Sequence, residues 1–65
     1  MIGTVRFFSH EKGFGFIDGQ DGLKYFVHFS MLEDKSEKRL TEGEKVEFSP
    51  GKNAKGLFAD RVKFL

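Results

Sequence analysis

The stretch Lys12-Gly13-Phe14-Gly15-Phe16-Ile17 repeats an aromatic ring at every second residue, with glycine before and between the rings. A period of two is the period of a strand, so Phe14 and Phe16 share one face while Gly15 and Ile17 share the other. A second run, Tyr25-Phe26-Val27-His28-Phe29, puts Phe26 and His28 on a common face by the same rule. Pairing the two strands would gather these rings into one patch. Two readings compete. Phenylalanine is usually buried, which favours core. Glycine, however, weakens a strand interior and marks bulges or the close approach of another backbone. Outward rings would let Ile17 supply the core and leave Gly15 room for packing or bending. A large exposed ring patch marks a binding site, and with Arg6, Lys12 and Lys24 beside it the patch suits flat bases and phosphates.

Sixty-five residues imply one small domain, 1–65, near the lower limit for folding without staples. The absence of cysteine excludes disulfides and thiolate metal sites. His10 and His28 are too few for a convincing metal site, so no cofactor is expected. No apolar run reaches membrane-spanning length and the N-terminus lacks a signal peptide's apolar core, giving a cytoplasmic expectation and no membrane partner. The net charge is only +1, from 11 basic and 10 acidic residues. Nucleic-acid binding must therefore rest on local charge. Arg6 and Lys12 flank the aromatic strand, Lys52, Lys55, Arg61 and Lys63 crowd the last quarter, and acids gather between Glu33 and Glu47. The chain has no phosphate-binding Gly-x-x-x-x-Gly-Lys-[Ser/Thr] loop. It has no identifiable Ser-His-Asp set either, so an enzyme acting on a small molecule is not expected.

Along the chain, Ile2 to Ser9 forms a first strand with Val5 inward and Arg6 outward. Strict alternation then sends Phe7 inward and Phe8 outward. His10-Glu11-Lys12 connects to a second strand, Gly13 to Asp18, as an antiparallel hairpin. Gly19 to Gly22 is a turn, and a third strand runs from Leu23 to Phe29. Ser30 to Leu40 reads as a mobile polar loop with Met31, Leu32 and Leu40 as anchors, and Ser30 capping a single turn. After a turn at Thr41–Glu44, Lys45 to Ser49 alternates with Val46 and Phe48 inward. Pro50 to Gly56 is a breaker-rich loop, and a last strand runs from Leu57 to Leu65. Five strands without a true helix predict an all-β domain, a five-stranded antiparallel barrel closed to remove its edges.

Gly3-Thr4-Val5, Lys12-Gly13-Phe14-Gly15-Phe16-Ile17, Phe26-Val27-His28-Phe29-Ser30 and Leu40-Thr41-Glu42-Gly43 stand in the order and spacing of bacterial cold-shock proteins. The chain resembles that family over essentially its whole length. The resemblance implies an OB-type barrel that binds single-stranded RNA and DNA with little sequence selectivity and melts weak secondary structure as an RNA chaperone. By position it implies Phe14, Phe16, Phe26, His28 and Phe29 as base-stacking residues, and Arg6, Lys12 and Lys55 as contacts to backbone or base edges. Phe7 stands where the family usually has a stacking tryptophan, which conflicts with the alternation that sends Phe8 outward; a bulge near Phe7 would expose both. The chain departs from the family pattern at Ser9, where Asn is usual, and at Lys24, a commonly acidic position. Glu37 stands where a stacking Phe is common, and Leu57-Phe58 replace a Pro-Gln pair. Phe58 is either an extra ring or core.

The expected protein is thus a monomer that binds single strands by stacking. The rival is a protein-interaction module using the same aromatic face. An RNA-recognition motif carries similar aromatics but needs two helices, for which the apolar stripes are missing.

Overall fold

The computed structural model describes residues 1–33 and 40–65. Its strands are β1 (Ile2–Ser9), β2 (Phe14–Gly19), β3 (Lys24–His28), β4 (Lys45–Asn53) and β5 (Gly56–Phe64), with one 3-10 turn, Phe29–Met31, after β3. They close into a barrel in the order β1-β2-β3-β5-β4. Every pairing is antiparallel except β3 with β5, where Phe26 lies opposite Phe58. The wholly antiparallel expectation is corrected by topology. Strand β4 returns antiparallel to β1, β5 reverses again, and so β5 meets β3 running the same way.

The interior is filled by Val5, Ile17, Tyr25, Val27, Leu32, Leu40, Val46, Phe48, Ala59 and Val62. Burying an aliphatic side chain of this size contributes about 1.5–3 kcal/mol. Strand alternation places most of them: Tyr25 and Val27 point in while Lys24, Phe26 and His28 point out. Leu32 and Leu40 anchor the ends of the polar segment, and Leu32 also bridges to Val62. The middle of that segment, including Glu37, lies outside the described residues.

Three local expectations are corrected. Strand β4 continues through Pro50 to Asn53, which shortens the expected breaker loop to a two-residue turn at Ala54 and Lys55. Proline is tolerated because its nitrogen faces the side on which Phe48 donates to Met1, where the pairing of β4 with β1 stops at Glu47. The single turn begins at Phe29 rather than after Ser30. Its cap is His28, whose Nδ1 accepts the Ser30 N–H at 3.2 Å. In β1, strict alternation fails between Val5 and Phe7, where the register with β2 shifts. Val5 pairs with Ile17 and Phe7 with Phe16, leaving Arg6 as the extra residue of a β-bulge.

Gly15 permits that bulge. A Cβ on Gly15 would lie 2.6 Å from the Phe8 Cα and closer still to the Phe7 carbonyl oxygen. Both are backbone atoms that cannot swing aside. Gly15→Ala is expected to destabilise the barrel by about 2 kcal/mol or more, the scale of overpacking. On thermal unfolding this would read as a fall in Tm of roughly 10 °C.

Tyr25 is buried against Phe48, with ring centroids 5.0 Å apart, and its hydroxyl donates to Asp21 at 2.6 Å. That bond and the Leu23 N–H hold the Asp21 carboxyl below its ordinary 3.8, while the Asp21 carboxylate pushes the Tyr25 hydroxyl above its ordinary 10.0. A lowered acid contributes stability that is present above its unfolded value and lost as pH falls through the folded one. A raised phenol contributes below its unfolded value and loses it as pH rises. The bond therefore acts between these limits. Thermal melts of Asp21→Asn are expected to lie below the parent at neutral pH and to converge on it as pH falls below 3.8.

Candidate nucleic-acid interface

The bulge at Arg6 decides which rings face outward. Beyond it Phe7 turns to solvent opposite Phe16 and is 48% exposed, while Phe8 turns inward opposite Gly15 and packs against the core. The expected orientations of the two are thus exchanged. Phe8 touches the platform's margin only through an edge-on contact with His10, centroids 5.4 Å apart.

Register carries one row of phenylalanines across four strands. Phe7 of β1 is opposite Phe16 of β2, Phe16 is opposite Phe26 of β3, and Phe26 is opposite Phe58 of β5. A second row runs Ser9, Phe14, His28. The rows interlock, since Phe26 lies 5.7 Å from Phe14 and meets Phe16 edge-on at 5.9 Å. Offset and edge-on contacts of this kind hold rings upright with free faces. Phe58 is partly buried and lies over Gly51, where a Cβ would come within 2.7 Å of its ring. Its reading as platform is therefore consistent with its register, and the core alternative is not.

Phe29 is 51% exposed and sits beside His28, centroids 5.0 Å apart. Gly13, at φ +78, places its carbonyl to accept the Phe29 N–H at 2.8 Å and has no Cβ to crowd the ring. With Nδ1 of His28 occupied by the Ser30 N–H, its neutral ring carries hydrogen on the outward Nε2. His28 is both a satisfied strand-end histidine and a ring on the outer face.

The cations rim these rings. Lys12 and Lys55 are exposed, at the β1–β2 and β4–β5 turns. Arg6 is exposed too, but its guanidinium is 3.0 Å from Asp18. Such an exposed pair adds little stability, yet it occupies the cation. The expectation for Arg6 as a ligand contact thus meets a competitor that sequence alone did not reveal. Lys24, the cross-strand partner of Asp18, has its ammonium 5.9 Å from the centroid of Phe16. The site assignment by resemblance omitted Lys24, although alternation with Phe26 and His28 already put it on the outer face. Among the described residues there is no cluster of potential metal ligands and no helix long and apolar enough to cross a membrane.

A barrel of this topology with an outward aromatic sheet is the architecture of a nucleic-acid-binding domain. The 'Cold-shock' DNA-binding domain family matches residues 1–65, and the chain belongs to that family. Its members bind single-stranded nucleic acid and are not enzymes. The chain is 46% identical to cold shock protein CspC of Bacillus subtilis over 61 residues, covering 94% of this chain and 92% of the relative. It is 43% identical to cold shock protein CapB of Pseudomonas syringae over 65 residues, covering 100% and 94%. The structure of drosophila Unr CSD456 superposes with a TM-score of 0.74 at 28% identity, over 98% of this chain and 26% of that one.

Freeing Arg6 tests its role. Asp18→Asn removes both a carboxylate and the partner of the guanidinium, so single-strand affinity is expected to rise at low salt and its salt dependence to steepen. Titrations of a labelled oligonucleotide at two salt concentrations would check this.

Proposed function

We propose that the chain is a monomeric cytoplasmic RNA chaperone that binds single-stranded RNA and DNA with low sequence selectivity. Bases stack on Phe7, Phe14, Phe16, Phe26, His28, Phe29 and Phe58, while Lys12, Lys55 and, when released by Asp18, Arg6 contact the backbone. The observation that carries this reading is that Phe48 alone of the nine phenylalanines is buried, against the usual habit of that residue. Stacking on an aromatic ring contributes roughly 1–3 kcal/mol per base and is indifferent to sequence, since every base has a flat face. A duplex hides those faces. Binding the open strand then shifts a weak hairpin toward melting by mass action, without nucleotide hydrolysis, and so affects transcription and translation.

The test is fluorescence anisotropy of a labelled oligo-dT or oligo-U heptamer, with matched duplex as competitor; the label must be on the oligonucleotide because the chain has no tryptophan. Saturable binding that salt weakens and duplex competes poorly is expected. Phe14→Ala and Phe26→Ala are each expected to weaken binding by about tenfold, within the range for one lost stack, with an unchanged circular dichroism spectrum. Unfolding of either variant would assign that ring to the core. No binding at low salt would instead point to a protein partner for the same face.

A further inference from the structure

Where the phenylalanine row reaches β5, the platform deepens into a cleft of about 560 Å³. Phe16, Phe26 and Phe58 provide its flat surfaces, and Lys24, Lys55 and Asn53 its polar side chains. The polar groups have one property in common. The Asn53 side-chain oxygen accepts the Lys55 N–H at 2.9 Å, so the amide turns its NH2 toward any ligand. The two ammoniums are donors without acceptor capacity. Asp18, the carboxylate nearest Lys24 by register, is held by Arg6. The side chains of this cleft thus offer aromatic faces and hydrogen-bond donors, and no acceptor.

We infer that this cleft is a base-selective subsite that prefers guanine, resting on the single-strand reading above. Guanine presents two adjacent acceptors, O6 and N7, along one edge, and lysine to that edge is a familiar pairing. Adenine puts an amino donor beside its N7, where it would face the ammoniums. Thymine and uracil separate their two carbonyl oxygens by an N–H, and cytosine ends its acceptor edge in an amino group. Guanine alone combines an uninterrupted acceptor edge with the larger purine face that a three-ring cleft can cover. The rest of the platform remains indifferent to sequence, so the selectivity belongs to one position of a bound strand.

The experiment compares labelled dT heptamers carrying guanine, adenine, cytosine or thymine at one position, by anisotropy, with each strand free to slide until that base reaches the cleft. The guanine heptamer is expected to bind at least about fivefold more tightly than the other three, the lower end for one good base-edge pair. In Lys24→Gln, and separately in Asn53→Asp, which keeps the oxygen that caps Lys55, the ratio of guanine to thymine affinity is expected to fall toward one. Equal affinity for all four heptamers would overturn the inference and leave the platform standing. Failure of all four to bind would overturn the single-strand reading itself. A guanine preference that survives both substitutions would also overturn it. So would an equal gain from a 5′-phosphate on the all-thymine heptamer, which would make the cleft a phosphate site.

Discussion

Closing five short strands into a barrel leaves an interior so narrow that chiefly aliphatic side chains fit, and that restriction governs where everything larger must go. Valine, isoleucine, leucine and alanine fill it, with Tyr25 and Phe48 as the only rings. Tyr25 is admitted because its hydroxyl finds Asp21, since a buried phenol without a partner would be costly. The remaining phenylalanines stand at or near the surface, where they cover part of the barrel's wall and keep a face open. The binding platform is in this sense a by-product of closure.

Closure also sets how the rings are ordered. Cross-strand neighbours on a sheet face lie about 5 Å apart, so rings at matched register positions form rows rather than a scattered patch. The one row that spans four strands depends on the parallel meeting of β3 with β5 at Phe26 and Phe58. The segment joining β3 to β4 is what lets β5 arrive in that direction.

Much of this was legible in the sequence, wherever the signal was local. The period of two at Phe14, Phe16, Phe26 and His28 assigned both strands and both faces, and Val46, Phe48 and Val62 were placed inward by the same rule. What failed depended on a second strand. Nothing within Ile2 to Ser9 announces a bulge; its cause is Gly15, on the neighbouring strand, which lets the backbone of Phe7 and Phe8 come close. Pro50 looks like a strand breaker unless it is known that β1 has already parted from β4 on its nitrogen side. The place of Phe58 required the parallel register, a long-range fact. Lys24 was within reach of simple alternation and was passed over because the resemblance supplied no role for it.

The bulge at Arg6 has a bearing on how such a surface can change over generations. It amounts to one inserted residue that inverts the facing of everything after it up to the end of β1. Loss of that residue would return Phe7 to the interior and send Phe8 out, redrawing the ligand-facing side while leaving the other four strands untouched. Most substitutions alter one side chain at a time, whereas an insertion or deletion here rewrites a whole half-strand in a single step. A fold that tolerates a bulge next to its working face therefore carries a ready route to abrupt changes in what it recognises, with Gly15 deciding whether that route is open.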